Sequence, residues 1–178
     1  ETIDRDARTV SLGNEEISYR SLVLAVGAEP IFPKLVRPHE RGSFYVVRNV
    51  DDVGELRDRA KQAKTVLIAG MGVLAVEIAE QLSAMGKRVT LAGATPQLIP
   101  RQLNARAGEL LEEAMVRSKV KLLFQEEIIS FEQNKKRSWS VEMLKQSSHF
   151  DMIVLCVGVE PRTAPAEAAG LTVDVGIS

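Results

Sequence analysis

The sequence predicts an α/β fold in which a parallel β-sheet alternates with helices and carries an antiparallel β-meander. Three observations lead there. Two unbroken apolar runs, Ser21–Val26 and Thr65–Ala69, have the composition of strands buried on both faces, as strands of parallel sheets are. The second run ends at Gly70-Met71-Gly72, after which Leu74, Ile78, Leu82 and Met85 recur with the spacing of one helix face. Arg88–Ala92 is again strand-like, which closes a βαβ unit of about 30 residues.

Taken in order, Thr2–Asp4, Arg8–Leu12 and Glu16–Tyr19 are short β segments parted by Gly13-Asn14 and charged turns. The apolar run 21–26 leads into Gly27, and Pro30, Pro33 and Pro38 make residues 30–50 a connection. Asp51 or Asp52 is expected to cap a helix over 52–63, and Arg57-Asp58-Arg59 with Lys61 and Lys64 to form its solvated face. Gly86 stands where a helix ends in a left-handed residue. Asn104 is the expected cap of a further helix, with Ala107, Leu110, Leu111 and Ala114 turned inward. Lys121–Phe124, Ile128–Glu132 and Trp139–Met143 read as strands, the last alternating as an antiparallel strand does, with Phe131 and Trp139 as sheet packing. The run Gln133–Arg137 reads as a solvated hairpin turn and Phe150–Val157 as one more buried strand.

Composition narrows the function. At 178 residues and 45% hydrophobic, the chain can bury a core and is no disordered tail, yet no run approaches the ~20 apolar residues of a bilayer span. Lysines and arginines number 23 against 24 acids, so no nucleic-acid footprint is present and no membrane surface is called for. One cysteine, Cys156, excludes a disulfide framework and a Cys-ligated zinc site and points to a reducing, cytoplasmic setting. His39 and His149 are too few for a metal cluster, and no catalytic or metal-ligating residue emerges. The opening Glu-Thr-Ile-Asp lacks an initiator Met or a leader, and the chain stops at Val175-Gly176-Ile177-Ser178 in a strand-like stretch, so a piece of a longer protein is expected.

Gly70-Met71-Gly72-Val73-Leu74-Ala75 is a Gly-x-Gly-x-x-Ala between strand and helix, the fingerprint of a Rossmann-like dinucleotide site. Gly70 permits the tight turn, Gly72 lets the backbone approach a pyrophosphate, and Ala75 brings the helix close to the sheet. The first helical N–H groups lack internal partners and lie at the positive end of the helix dipole, so they receive phosphate. Glu77 stands in the first turns of that helix, where an acid is favoured with or without a ligand. An acid about 20 residues past the first glycine would hold the ribose of NAD; here the residue is Gly93. Arg101, a little downstream, is the nearest cation for the extra phosphate of NADP, and the sequence leaves NAD and NADP both open. Cys156 reads as a packed, inert thiol. The stretch Leu22–Pro30 also repeats at Ile153–Pro161, a strand, a glycine and a turn closed by proline on either side of the βαβ unit.

These motifs, in this order, resemble the pyridine nucleotide–disulfide oxidoreductase family of FAD-dependent flavoproteins over essentially the whole chain. The resemblance implies that the turn at Gly27 closes a first FAD segment and makes a backbone contact to FAD. It implies that Gly70, Met71, Gly72, Val73, Leu74, Ala75 and Glu77 contact the nicotinamide nucleotide. Gly93 matches the ribose-selecting position, Ile128 a contact on the later strand, and Gly158 the nicotinamide end. The stretch Leu98–Asn104 with Ala107–Leu111 looks most like the branch of nitrite reductase large subunits and rubredoxin reductases. The family's N-terminal FAD-binding glycine motif and its later Gly-Asp motif are not within residues 1–178, and there is no Cys-x-x-Cys.

The resemblance therefore implies the NAD(P)H-binding part of an FAD-dependent oxidoreductase, inactive by itself. Its domains are expected at 1–44 (partial FAD-binding segment and connection), 45–158 (Rossmann-like NAD(P)-binding) and 159–178 (start of the return to the FAD-binding domain). An electron-acceptor protein or small molecule and a homodimer are partners the family admits. The competing expectation is a Rossmann-like nucleotide-binding or assembly module without redox activity, for which Gly93 is the best support.

Overall fold

A computed structural model describes residues 2–134 and 138–177. The charged stretch Lys135–Arg137, expected as the tip of a hairpin, lies outside the described residues. The chain forms two compact units, Glu1–Glu29 with Val159–Ser178, and Pro30–Gly158. The second takes in residues 30–44, which the sequence grouped with the first segment.

In the first unit, β1 (Thr2–Asp4), β2 (Thr9–Leu12) and β3 (Glu15–Ser18) form an antiparallel meander in the order β1-β2-β3. The Asp4 carboxylate accepts the N–H groups of Asp6 and Ala7, closing the first turn as short acidic side chains do. The run 21–26, expected as a buried strand, is neither strand nor buried; Val23 is 84% exposed. A strand of that composition is stable only when neighbours cover its faces and pair its backbone, and no described residue pairs with it. Beyond Gly27 comes β4 (Ala28–Pro30).

The second unit opens with a 3-10 turn at Pro38–Ser43 inside the expected connection, then α1 (Val50–Gln62). The cap of α1 is Asn49 rather than Asp51 or Asp52: its side chain accepts the Asp52 N–H at 3.0 Å while Asp52 accepts the Asn49 N–H at 3.0 Å. This reciprocal box satisfies two otherwise orphaned donors, with Asp52 serving as its N3 member and not as the cap.

The βαβ unit is present as read: β5 (Thr65–Ala69), α2 (Val73–Ala84), β6 (Arg88–Gly93), then α3 (Ala105–Arg117) and β7 (Lys121–Phe124). Gly86 (φ 77°) ends α2, its N–H donating to Ser83 and that of Lys87 to Leu82. Asn104 caps α3 by accepting the Ala107 N–H. After β8 (Ile128–Gln133) and β9 (Trp139–Met143), the single strand expected over Phe150–Val157 is two. β10 (Ser147–Phe150) pairs antiparallel with β9, and β11 (Met152–Leu155) pairs parallel with β5. Asp151 marks the switch, its N–H donating to the Thr65 carbonyl.

The four-stranded sheet has the order β11-β5-β6-β7, all parallel. Side-chain alternation splits the core in two. Val66, Ile68, Met152 and Val154 face the helices, while Leu67, Ala69, Ile153 and Leu155 face the meander β10-β9-β8 with Trp139 and Val141. There Trp139 packs on Phe44 and Phe131, as expected of sheet packing.

The helices are rotated from the expected faces. On α2 the buried residues are Ala75, Val76, Ala79 and Leu82, while Leu74 and Met85 are exposed; on α3 they are Gly108 and Met115, while Leu110 is 49% exposed. Small residues at Ala75, Ala79 and Gly108 allow close approach of the backbone, and long side chains then point elsewhere. The chain returns through β12 (Val159–Pro161) and α4 (Ala164–Ala168). The repeated segments meet: β4 and β12 form a two-stranded sheet, each preceded by a glycine of positive φ, Gly27 at 74° and Gly158 at 117°.

Candidate dinucleotide cleft

The parallel strands of the second unit end on one edge, and that edge is hollow. A cleft of about 530 Å³ is lined by the Gly70–Gly72 turn after β5, Gly93–Thr95 after β6, Glu126–Ile128 after β7 and Cys156–Gly158 after β11. Open parallel sheets bind ligands in this position, where backbone donors of the following helices converge.

Each glycine of the fingerprint has a separate reason. Gly70 has φ 133°, donates its N–H to the Ala92 carbonyl at 2.8 Å, and has no room for a Cβ, which would run into the Cys156 carbonyl. Gly72 is the N-cap of α2 in extended conformation, and a Cβ there would meet nothing within 4 Å. Its bareness serves the open cleft, not the packing of the protein. Because Gly72 has no side chain, no side-chain cap satisfies the first N–H groups of α2. Ala75 is fully buried between helix and sheet.

Of the residues singled out in the sequence, Gly70, Met71, Gly72, Gly93, Ile128 and Gly158 come together on the cleft wall. Val73, Leu74, Ala75 and Glu77 do not line it. Glu77 is exposed in the second turn of α2, and no acid stands in the first. Gly27 belongs to the other unit, where its carbonyl accepts the Arg162 N–H at 3.0 Å.

Met71 does more than fill the fingerprint. It is buried, its carbonyl accepts the Ile99 N–H at 2.8 Å, and its Cγ stands 2.7 Å from where a Cβ on Gly93 would be. Position 93 is therefore closed to a side chain unless Met71 moves. The residue that sequence reasoning missed is Glu126, a buried carboxylate on the cleft wall whose N–H donates to the Gly93 carbonyl at 3.0 Å. Its signal was an acid just past the third parallel strand, in a turn that periodicity treats as a mere connection. The remaining charges on the wall are exposed, Glu127 and Arg101.

Burial pushes the pKa of the half-buried Cys156 thiol up to about 12, which favours the protonated form at neutral pH. Among the described residues no group of His, Cys, Asp or Glu could hold a metal ion, and no helix is long and apolar enough to cross a membrane. The cleft thus offers backbone donors, a small-residue turn and one buried carboxylate.

Comparison with known proteins is consistent with this geometry. The profile of the family described as pyridine nucleotide-disulphide oxidoreductase matches residues 1–177. A nitric oxide reductase FlRd-NAD(+) reductase of Pectobacterium atrosepticum is 29% identical over 175 residues, covering 98% of this chain and 45% of its own. A nitrite reductase [NAD(P)H] of Bacillus subtilis is 28% identical over 183 residues, covering 98% of this chain and 22% of its own. Among solved structures, a water-forming NADH oxidase of Lactobacillus brevis bound to NADH superposes with a TM-score of 0.85 at 27% identity, over 98% of this chain and 39% of that one. The chain thus spans less than half the length of the relatives it matches.

Proposed function

Because the chain belongs to the pyridine nucleotide-disulphide oxidoreductase family, we propose that it is the NAD(P)H-binding part of an FAD-dependent oxidoreductase. Residues 30–158 act as the NAD(P)-binding domain, and 1–29 and 159–178 as segments of an FAD-binding domain. The observation that carries the reading is the uncapped N-terminus of α2 opening onto a cleft at the ends of four parallel strands. The fit to a dinucleotide is steric as well as electrostatic, since the space before Gly72 is free.

On this reading the N–H groups of the 70–75 turn hold the pyrophosphate, the adenosine lies toward Gly93 and Ile128, and the nicotinamide lies toward Gly158. Bound together, the cofactors supply the chemistry, passage of a hydride from nicotinamide to flavin and onward to an electron-acceptor protein or small molecule. The chain's own residues bind and orient. Met71 and Ala75 hold the turn rigid, and the protonated Cys156 thiol stays inert at the cleft wall. The flavin motifs of the family are not within these residues, so no step is assigned to residues around Gly27.

The test is calorimetric. NADH binds the wild-type chain, and Gly72→Val, which puts a branched side chain into the free space, loses at least tenfold in affinity while its thermal midpoint moves little. Equal affinity of the two would remove the turn from the reading. A second reading, a nucleotide-binding module without redox work, is favoured by Met71 packed against Gly93. Flavin motifs in sequence flanking this chain would support the first reading, and stop codons near both ends the second. By itself the chain is expected to purify without flavin and to show no NAD(P)H turnover.

A further inference from the structure

Resting on the dinucleotide reading, we propose that the Glu126 carboxylate accepts the adenosine ribose hydroxyls in place of the acid that Gly93 lacks, so that the cleft selects a free 2′-hydroxyl, NADH, over NADPH.

Four observations converge. A side chain cannot stand at Gly93 without displacing buried Met71, so the usual acceptor is excluded sterically. Glu126 is joined to Gly93 through the main chain, its N–H donating to the Gly93 carbonyl at 3.0 Å, so its carboxylate is one strand away from the expected position. Glu126 is only 3% exposed, yet its Oε1 has one donor, the Lys145 N–H at 2.6 Å. Among the described residues no hydrogen bond reaches Oε2, no side-chain oxygen is both sealed and unpartnered, and Glu126 is one of the residues that line the cleft.

Buried carboxylates are nearly always paired or multiply hydrogen-bonded, because a single N–H does not replace the water lost. A ribose diol offers two O–H donors to such an oxygen, and hydrogen bonds to a charged acceptor are the strong ones. A 2′-phosphate in the same place would bring like charge against a group that cannot turn away, with Glu127 adding to the repulsion from the rim. Arg101, the cation on the cleft wall, is exposed, so solvent screens its attraction for that phosphate.

The full chain is titrated by calorimetry with NADH, NADPH and 2′-deoxy-NADH (lacking the adenosine 2′-hydroxyl), as wild type and as Glu126→Gln. Gln keeps an oxygen for the Lys145 N–H and removes the charge. Wild type is expected to bind NADH at least tenfold more tightly than either analogue. In Glu126→Gln, NADH affinity falls about tenfold, NADPH affinity holds or rises, and the deoxy penalty disappears. Unchanged NADH affinity, or equal loss of NADH and NADPH, overturns the proposal. Should Glu126→Gln not fold, the wild type decides, because equal affinity for NADH and its 2′-deoxy analogue overturns it as well. Wild type binding no dinucleotide would sink the underlying reading and this proposal with it, whereas dinucleotide binding indifferent to Glu126 sinks this proposal alone.

Discussion

Thr65–Ala69 and Ser21–Val26 are nearly interchangeable as sequence, yet they meet opposite ends. The first is β5, with Val66, Leu67 and Ile68 fully buried between two cores; the second is irregular, with Leu22 and Val23 exposed. The same contrast runs through the two units. Pro30–Gly158 packs both faces of a parallel sheet, while among the described residues of the other unit only Thr9 and Ala166 are buried. Apolar composition states what a segment is able to bury; the neighbours decide whether it does.

That contrast breaks most visibly under truncation. Ile68→Ala is expected to cost about 2–5 kcal/mol in urea denaturation, since the methylenes removed leave a cavity in a packed core. Val23→Ala is expected to change stability by less than about 0.5 kcal/mol, because its side chain is already in water. Comparable losses for the two would mean that the run 21–26 is covered in solution. Gly70→Ala comes next, at about 1–3 kcal/mol, from the collision with the Cys156 carbonyl and the positive φ. The open site at Gly72 predicts near-neutral stability for Gly72→Val, so the pair separates a packing glycine from a ligand glycine.

The smallest effect is pH-dependent. Burial pushes the Asp151 carboxyl up, but N–H donors from Thr65 and Lys64, the Thr65 hydroxyl and the Arg59 charge outweigh it, and its pKa is lowered overall. A lowered pKa stabilises the fold above the unfolded value and loses that contribution as pH falls through the folded one. Asp151→Asn is therefore expected to be less stable than wild type at pH 7, by under about 1 kcal/mol because the group is only half-buried and partly screened by solvent, and equal to it once both are studied below the folded value. A difference that persists in acid would assign the effect to shape, not charge.

The second unit was legible in the sequence because each device there is local. The strand 65–69, the glycine turn, the Gly86 stop and the Asn104 cap each announce themselves within a few residues. What failed depends on longer range. The 3.6-residue period marked Leu74 and Met85 as inward, but close packing through Ala75 and Ala79 turned the helix. One apolar stretch, Phe150–Val157, became two strands because Asp151 switches the chain from the meander to the parallel sheet. In the cleft, the residues of the fingerprint were readable from spacing. Glu126 was not, since only the pairing of β7 beside β6 brings it to Gly93.

The central claim is that main-chain donors of the 70–75 turn receive the diphosphate, and amide NMR reads it residue by residue. Titrating NADH into isotope-labelled chain is predicted to shift the N–H resonances of Gly72, Val73 and Leu74 first and furthest, with Gly93 and Glu126 following. Saturable shifts confined to other parts of the chain, with those three amides unmoved, would contradict the account.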